Sequence, residues 1–348
     1  MSENNVLFVY NQESNYSSGG TAVTSQNILL LKMFSDNVIL CNLKSNRGKA
    51  LSALLLRLSF IQYKKIKKII IKNNITHIFF NYSVYGILIK KIKKFRKNIN
   101  IISYFHNCEA LYMHDQFKRQ GLPFYFLYVL TILNESAACK YSDKCIFITE
   151  EDKNEINRRY KFPLKKSNIL PVLLNDKYAS RVGDDNFYLL FFGSAFFANI
   201  EAAEYLIKEI LPNIPYSIVI AGTNMDKALA KYNNIENLKI IGFTEELNKL
   251  FAGASVFIAP IFSGSGMKVK IAEALMHGKK IICSEKAIIG YEKISSIIVC
   301  KSTNEYITAI NNIDVNKIFY QESRDLFLKK YSIDNLQYYY KSIDEIFN

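Results

Sequence analysis

Short apolar runs of strand length alternate with longer amphipathic stretches along the whole chain. Such alternation predicts parallel sheets that are covered by helices on both faces. The predicted strands of the first half are Val6–Tyr10, Val38–Leu43, His77–Asn81, Ile101–Phe105 and Lys144–Ile148. Those of the second half are Tyr188–Phe192, Tyr216–Ala221, Leu238–Ile241, Val256–Ala259, Lys280–Cys283 and Ile297–Cys300.

The stretches between these strands have the periodicity of helices. The predicted helices are Ala50–Asn73, Ser83–Lys97, Asn199–Leu211, Thr244–Phe251, Lys268–His277 and Asn304–Ile310. The pattern restarts at Tyr188, after the polar stretch Asn175–Asn186 with its turn signal Gly183-Asp184-Asp185-Asn186. We therefore predict an α/β protein of two doubly wound, Rossmann-like domains, residues 1–180 and 187–330. A helix over 331–348 is expected to follow them and to pack back on the first domain.

The composition is typical of a globular protein, and the positive charge is concentrated in one half. Hydrophobic residues make up 49% and charged residues 22% of the chain. Residues 1–175 hold 26 Lys and Arg against 11 Asp and Glu, a balance of +15, whereas residues 176–348 hold 19 against 20, a balance of −1. The first domain should therefore face nucleic acid, an acidic membrane surface or a phosphorylated substrate. We expect no nucleic acid, because no aromatic-basic recognition motif is present.

Targeting and redox signals favour a cytoplasmic location. No basic region precedes the first apolar run, as it would in a secretory signal. The longest uncharged apolar stretch, Leu122–Leu133, has 12 residues and is too short to span a bilayer, so it predicts a buried or interfacial helix. The six cysteines contain no Cys-x-x-Cys pair, which argues against both a zinc knuckle and a disulfide framework.

Candidate chemistry follows the predicted strands, because ligands of doubly wound sheets bind at the carboxyl ends of strands. Gly19 and Gly20 stand between the first strand and a helix that begins near Ala22. Adjacent glycines allow the backbone to approach a ligand, and a helix N-terminus offers free N–H groups to phosphate. A plain flexible turn is the alternative, since neither Gly-x-Gly-x-x-Gly nor a Walker lysine is present.

His106 comes directly after the strand Ile101–Phe105, where a side chain can reach a ligand. A structural histidine is the alternative. A metal site could also be drawn from His106 and its polar neighbours, which are Cys108, Glu109, His114 and Asp115. Their spacing fits no standard zinc pattern, so we predict no metal here.

The richest loop is Gly264-Ser265-Gly266, which follows the strand Val256–Ala259 and leads into the helix Lys268–His277. Lys268 and Lys270 lie in the first helical turn, a place that cations normally avoid because of the helix dipole. Their position suggests a bound anion, and Glu273 lies in the second turn on the same helix. The alternative is a solvated lysine pair with a surface glutamate.

At these residues the sequence resembles glycosyltransferase family four, the retaining group with the GT-B fold, over nearly the whole chain. The strongest similarity is the segment from Gly264 to Ser284, which resembles the donor-binding segment of that family. Three further segments match in order: Gly19-Gly20, the segment that begins at His106, and Ser142–Thr149. The resemblance implies two Rossmann-like domains that face a central cleft. It also implies a donor site for a nucleotide-diphosphate sugar in the second domain, formed by Gly193, Ser194, Gly222, Gly264, Ser265, Gly266, Met267 and Glu273.

In that family the glutamate that matches Glu273 binds the ribose. The sequence departs from the family pattern at two places. Ser265 stands where many members have a second glutamate, and the stretch after Phe192 lacks the Arg and Lys that usually hold the diphosphate. We infer that Lys268 and Lys270 take over phosphate binding.

The resemblance further implies a hexosyltransferase-type enzyme that uses a UDP- or GDP-linked sugar as substrate and needs no cofactor. The catalytic candidates are Lys268, Lys270 and His106. Of these, His106 would contact the sugar or orient the acceptor. Because no Asp-x-Asp pair stands at a loop position, we expect electrostatic stabilisation without metal.

Two basic runs of the first half, Lys64–Lys72 and Lys90–Lys97, interleave cations with apolar residues. They favour contact with anionic headgroups on the inner face of the cell membrane, or are solvated helix faces. The acceptor would then be a glycan or a lipid-diphosphate-linked glycan of surface polysaccharide or glycolipid synthesis. Two alternatives are a non-catalytic GT-B binding subunit and a nucleotide-sugar epimerase. Nothing in the sequence indicates the oligomeric state.

Overall fold

The computed structural model describes residues 4–11, 19–43, 54, 58, 60–180, 187–264 and 266–339. The chain divides into two compact units: Met1–Leu173 with Leu336–Asn348 is the first, and Leu174–Asn335 is the second. The boundary thus lies earlier than residue 180, where we predicted the end of the first domain. Within the predicted C-terminal helix, 336–339 are helical, whereas 340–348 lie outside the described residues, as does 181–186 of the predicted linker.

The first unit contains a parallel sheet of six strands in the order β2-β1-β3-β4-β5-β6. The strands are β1 (Asn5–Tyr10), β2 (Asn37–Asn42), β3 (His77–Phe80), β4 (Asn100–Phe105), β5 (Lys144–Phe147) and β6 (Ser167–Ile169). Val6 to Val9 of β1 are fully buried, as a strand covered on both faces requires. The predictions for β1 to β5 are confirmed, but β6 was missed, because its three residues include Ser167 and Asn168.

Helices connect these strands in the doubly wound manner. They are α1 (Gly19–Phe34), α2 (Phe60–Lys72), α3 (Gly86–Phe95), α4 (Glu109–Gln120), α5 (Leu122–Tyr141) and α6 (Glu150–Tyr160). Most residues of the predicted helix Ala50–Asn73 ahead of Phe60 lie outside the described residues. Gly86 packs directly on α5, since a Cβ there would lie 1.8 Å from the carbonyl oxygen of Asn134.

The second unit contains a parallel sheet of six strands in the order β12-β11-β10-β7-β8-β9. The strands are β7 (Tyr188–Phe192), β8 (Ser217–Ala221), β9 (Leu238–Ile241), β10 (Val256–Ala259), β11 (Lys280–Cys283) and β12 (Ile297–Val299). All six confirm the predicted strands to within one residue. The order is that of the Rossmann fold, and it reverses between β7 and β10.

The helices of the second unit are α7 (Phe197–Tyr205), α8 (Met225–Ala228), α9 (Leu247–Gly253), α10 (Val269–Met276), α11 (Thr303–Asn311) and α12 (Gln321–Leu326). Helix α7 starts two residues before the predicted Asn199 and continues as a π-helical turn over Leu206–Ile210. Helix α9 starts at Leu247 and not at the predicted Thr244, because a turn over Thr244–Glu246 precedes it.

Helix α5 is longer than the apolar stretch from which it was predicted. It has 20 residues, and by length and composition it is the one helix among the described residues that could cross a membrane. Only about a third of it is buried, and the buried positions cluster in its second half, from Leu130 to Cys139. The six cysteines, all of which the structure describes, are buried free thiols.

Candidate functional site

The strand order of the first sheet reverses between β1 and β3, and the loops after these strands carry candidate residues of the first unit. Helix α1 begins at Gly19. The Thr24 hydroxyl donates to the carbonyl oxygen of Gly20 at 2.8 Å and accepts from the Asn81 side-chain amide at 3.0 Å. Asn81 is fully buried directly after β3. It therefore ties the glycine turn to the loop after β3, a role that sequence reasoning missed.

His106 follows β4 and is held by the same loop. Its Nε2 atom lies 2.8 Å from the carbonyl oxygen of Asn81, and its ring stacks on Tyr82 with centroids 4.2 Å apart. A carbonyl only accepts, so Nε2 carries the proton and Nδ1 is left with a lone pair. Burial lowers the pKa of His106 to about 4. The imidazole is therefore neutral at pH 7 and can accept a hydrogen bond at Nδ1.

Glu135 of α5 orients the loop that follows His106. Its carboxylate accepts from the backbone N–H of Glu109 at 2.8 Å and of Ala110 at 3.1 Å, and from the Tyr160 hydroxyl at 3.0 Å. The side chain is fully buried, and burial raises its pKa to about 7. A carboxylate that accepts from N–H groups in the first turn of α4 interacts favourably with the dipole of that helix and fixes where it starts. In the sequence, the only indication of this role of Glu135 is that a single carboxylate stands in an otherwise apolar helix.

The strand order of the second sheet reverses between β7 and β10, and the loops there carry the candidate residues of the second unit. Gly222, which follows β8, has φ +150°. A Cβ at this position would lie 1.9 Å from the carbonyl oxygen of Gly193, which follows β7. The N–H of Ala195 also donates to the carbonyl oxygen of Thr223 at 2.9 Å. The two loops thus pack main chain against main chain, which only glycine permits at these positions.

Lys270 of α10 extends into the space that Gly193 leaves open. Its Nζ donates to Asn199 Oδ1 at 2.7 Å and lies 4.8 Å from the centre of the Phe191 ring. The Asn199 side-chain amide donates in turn to the carbonyl oxygen of Ser194 at 2.8 Å. A Cβ at Gly193 would lie 2.7 Å from Lys270 Nζ. Burial lowers the pKa of Lys270 to about 7, although the Glu273 carboxylate opposes this.

Glu273 lies one helical turn from Lys270 and is half-buried. Burial raises its pKa to about 7, against the effect of the Lys270 and Lys177 ammonium groups. Within the described part of the chain, its carboxylate makes no hydrogen bond. A carboxylate and an ammonium group of nearly equal pKa, neither fully charged at pH 7, are suited to a ligand that supplies both an anion and hydroxyl groups.

The Gly264–Gly266 loop carries positive φ at both ends, +89° at Gly264 and +74° at Gly266. Lys268 occupies the N-cap position, one residue before the first turn of α10 in which it was predicted, and its Nζ donates to the carbonyl oxygen of Gly266 at 2.6 Å. The Tyr291 hydroxyl donates to the carbonyl oxygen of Lys268 at 2.8 Å and so fixes the start of α10. Met267 is buried beneath the loop, and Ser265 lies outside the described residues.

The structure therefore gathers the predicted residues in two places. Gly19, Gly20 and His106 lie at the carboxyl edge of the first sheet. Gly193, Ser194, Gly222, Gly264, Gly266, Met267, Lys268, Lys270 and Glu273 lie at the carboxyl edge of the second. Among the described residues, no group of three His, Cys, Asp or Glu side chains is placed to hold a metal ion. The cluster considered around Cys108 and His114 is thus not formed.

Residues 186–313, which lie within the second unit, match the model of the family Glycosyl transferases group 1. A curated relative is the uncharacterized 44.6 kDa protein in the cps region of Klebsiella pneumoniae, which is 24% identical over 260 residues. The match covers 62% of this chain and 65% of that relative, so the chain spans less than two thirds of its length.

Solved structures resemble the fold over nearly the whole chain. HepE of Anabaena in complex with UDP-glucose has a TM-score of 0.71 at 11% identity, with 98% of this chain and 99% of that chain covered. Sucrose-phosphate synthase from Thermosynechococcus elongatus has a TM-score of 0.74 at 13% identity, with 99% and 98% covered. The architecture of two α/β units, each with a parallel six-stranded sheet, is therefore that of the GT-B fold.

Proposed function

We propose that this protein is a retaining glycosyltransferase of family four that moves a hexosyl group from a nucleotide-diphosphate donor to a glycan or lipid-linked acceptor. The observation that carries the proposal is the half-buried pair Lys270 and Glu273, one helical turn apart on α10, with Lys270 beside Gly193 where the second sheet reverses its strand order. This pair lies within the glycosyl transferases group 1 domain. The solved complex of HepE with UDP-glucose supports a UDP-sugar as donor, with a GDP-sugar as the alternative.

The second unit is proposed to bind the donor through charge and main-chain dipoles. Lys268, Lys270 and the amides near Gly266 would stabilise the diphosphate as negative charge develops on it during transfer. Glu273 would accept hydrogen bonds from the ribose hydroxyls. Gly193 and Gly222 would allow the donor to approach the backbone closely. These groups suffice without a metal ion, so we propose a metal-independent reaction.

In the first unit, His106 is proposed to contact the transferred sugar or to orient the acceptor. A neutral imidazole with its lone pair at Nδ1 can accept a hydrogen bond from a sugar hydroxyl. The amides at the start of α1, near Gly19 and Gly20, would approach the donor phosphates. Retention by attack on the same face needs no protein nucleophile.

The acceptor is proposed to belong to surface polysaccharide or glycolipid synthesis. The relative from the cps region of Klebsiella pneumoniae supports this proposal. The basic first half, with its balance of +15 over residues 1–175, would hold the enzyme as a peripheral protein on the inner face of the cell membrane.

A screen of UDP- and GDP-linked sugars tests the proposal directly. A donor at 100 times its Kd stabilises the native state by about 2.7 kcal/mol, so the matching nucleotide sugar should raise Tm while free sugars do not. Hydrolysis or transfer of the sugar should then follow. Conversion of the free nucleotide sugar to its epimer would indicate an epimerase, and binding without turnover would indicate a non-catalytic subunit.

A further inference from the structure

Helices α4 and α5 form a hairpin that starts and ends at the first sheet. Helix α4 begins after β4 and α5 leads back into β5, with Gly121 between them at φ +79°. A Cβ at Gly121 would meet no atom of the described residues within 4 Å. The turn of the hairpin therefore lies in open space.

The polar contacts of α5 show where the hairpin leaves the sheet. Asn134 accepts from the N–H of Ile87 at 3.0 Å, and Glu135 accepts from the N–H of Glu109 at 2.8 Å. These donors lie in the first turns of α3 and α4, which follow β3 and β4. The first buried residues of α5 along the chain are Leu130 and Thr131, and the segment Leu122–Val129 before them spans about 12 Å at 1.5 Å per residue. The hairpin thus projects from the edge of the sheet that carries His106.

One face of the projecting helix is apolar and exposed. Leu122, Phe126 and Leu133 are 79%, 56% and 54% exposed, and their spacing places them on one side of α5. We call these three residues the hairpin stripe. Tyr125 lies beside the stripe and packs its ring on Phe117 of α4, with centroids 5.3 Å apart. A solvent-facing helix surface is normally polar, so such a stripe indicates a contact.

The charges around the stripe indicate the kind of contact. From Gln116 to Asn134 the chain has two cations, Lys118 and Arg119, and no carboxylate. Both cations are exposed in the last turn of α4, next to the turn of the hairpin. Aromatic and apolar side chains flanked by cations are the pattern of elements that lie in the interface of an anionic bilayer.

We propose that the tip of the α4–α5 hairpin inserts into the interface of an anionic phospholipid bilayer. The hairpin stripe would enter the boundary of the acyl chains, and Lys118 and Arg119 would contact headgroup phosphates. Insertion is limited to the exposed face of α5, since Thr131, Asn134 and Glu135 on its other face are buried in the first unit. Helix α5 therefore lies in the interface and does not cross it.

This mode of contact differs from one through the basic run Lys90–Lys97. Lys93 Nζ donates to the carbonyl oxygen of Ile99 at 2.7 Å and to Asp143 at 2.6 Å, and these two residues directly precede β4 and β5. The run therefore lies at the amino edge of the first sheet, opposite the edge that carries His106. Insertion of the hairpin would instead bring the His106 edge to the membrane, where a lipid-linked acceptor resides. This last consequence rests on the proposed function, whereas insertion itself does not.

The absence of tryptophan from the chain gives a clean probe. Phe126→Trp places a single fluorophore on the hairpin stripe, and Phe243→Trp places one at a comparably exposed site in the second unit, 68% exposed. With vesicles of phosphatidylcholine and phosphatidylglycerol, the emission of the Phe126→Trp protein should shift to shorter wavelength and be quenched by brominated acyl chains. The Phe243→Trp protein should show neither effect. No shift at Phe126→Trp would overturn the proposal.

Sedimentation with the same vesicles gives a second measurement that does not depend on a fluorophore. Phe126→Ser with Leu133→Ser should lower the partition coefficient at least about tenfold. Each apolar side chain contributes more than about 1.4 kcal/mol of transfer free energy when it is buried in the membrane, and 1.4 kcal/mol corresponds to a factor of ten. The matched control is Phe243→Ser with Leu328→Ser, an exposed phenylalanine and an exposed leucine of the second unit. Equal binding of the hairpin variant and the wild type would refute insertion, as would a blue shift at Phe126→Trp that follows protein concentration without vesicles and so reports self-association. Neither readout requires turnover, so a failed transferase assay leaves the result unchanged.

Discussion

The Nε2 atom of His106 donates a hydrogen bond of 2.8 Å to the main-chain carbonyl oxygen of Asn81. The side chain of Asn81 in turn donates to Thr24, which donates to the carbonyl oxygen of Gly20. One buried asparagine thus fixes both the tautomer of the histidine and the position of the glycine turn. The histidine is held neutral with its Nδ1 lone pair free to accept a hydrogen bond, which is the role proposed for it.

His106→Phe should keep the ring stacked on Tyr82 but remove both nitrogen atoms. We expect kcat/KM to fall about tenfold, as on loss of one hydrogen bond of about 1.4 kcal/mol to the sugar or the acceptor. The free energy of unfolding should fall by about 1–3 kcal/mol, because the carbonyl of Asn81 loses its donor. In the wild type, the pKa of about 4 means that His106 should cause no loss of activity between pH 8 and 5. A limb of the kcat/KM profile near 6.5 that disappears in His106→Phe would contradict this.

Glu273→Ala should weaken donor binding with little loss of fold stability. The lost charge-assisted hydrogen bond should cost about 1.5–3 kcal/mol of donor affinity, measured by calorimetry. Glu246→Ala, at an exposed carboxylate of the same unit, is the matched control. Unchanged affinity in a folded Glu273→Ala protein would remove this residue from the donor site.

Donor affinity should depend on the proton of Lys270. With a pKa of about 7, Lys270 is charged below and neutral above that pH, whereas a diphosphate binds the charged form. Affinity should therefore decrease above pH 7, by at most about tenfold per pH unit for one proton. Lys270→Arg stays protonated throughout, so its affinity should not show this decrease. Glu273 is common to both proteins, and the difference between their calorimetric profiles from pH 6 to 9 isolates Lys270. Identical profiles would mean that Lys270 does not meet the phosphates.

Transfer should survive EDTA. Lys268, Lys270 and the start of α10 are placed to offset the charge of the diphosphate that a metal ion would otherwise bind. Initial rates with and without chelator should agree within error. Loss of turnover that magnesium or manganese restores would show that a divalent cation is required.

The basic run of α2 should contribute attraction that depends on salt. Replacing Lys64, Lys65, Lys67 and Lys68 with Gln should lower binding to anionic vesicles in low salt, since each lysine near such a surface is worth about 1 kcal/mol. The control is the same number of exposed lysines in the second unit, Lys227, Lys239, Lys249 and Lys317, changed to Gln. If both variants bind alike, the run is only a solvated helix face. In 0.5 M salt, where the screening length is only a few ångströms, vesicle binding should still depend on the hairpin stripe.

Most of the fold could be predicted from the sequence because eleven of the strands are apolar runs bounded by turn residues. The hydrophobic pattern does not predict elements in which polar residues are buried or form part of a strand. Strand β6 is short and half polar, so periodicity does not reveal it. Helix α5 appeared to end at Leu133, because Asn134 and Glu135 are polar, yet both are buried in the core. Their hydrogen bonds to Ile87 and Glu109 make that burial possible, and these partners are distant in sequence.

The candidate site was predictable in its glycines and lysines but not in its supporting residues. Gly264, Gly266 and Lys268 stand together in the sequence, and so do Gly19 and Gly20. Asn199, by contrast, meets Lys270 only because α7 and α10 begin at neighbouring strand ends. Asn81 and Tyr291 likewise act through contacts between separate loops. A single polar residue in a sequence gives no periodic signal from which a contact with a distant loop could be predicted.

The close packing of Gly222 on Gly193 has a consequence for recombining this chain with its relatives. The two loops, after β8 and after β7, fit only as a matched pair, because neither backbone can move without displacing the other. A chimera whose crossover falls between Phe192 and Gly222 would join loops of different parentage and disturb the placement of Asn199 and Lys270. Exchange of donor preference by domain shuffling should therefore transfer residues 187–313 as one block, so that both glycines, Asn199, Lys270 and Glu273 come from the same parent.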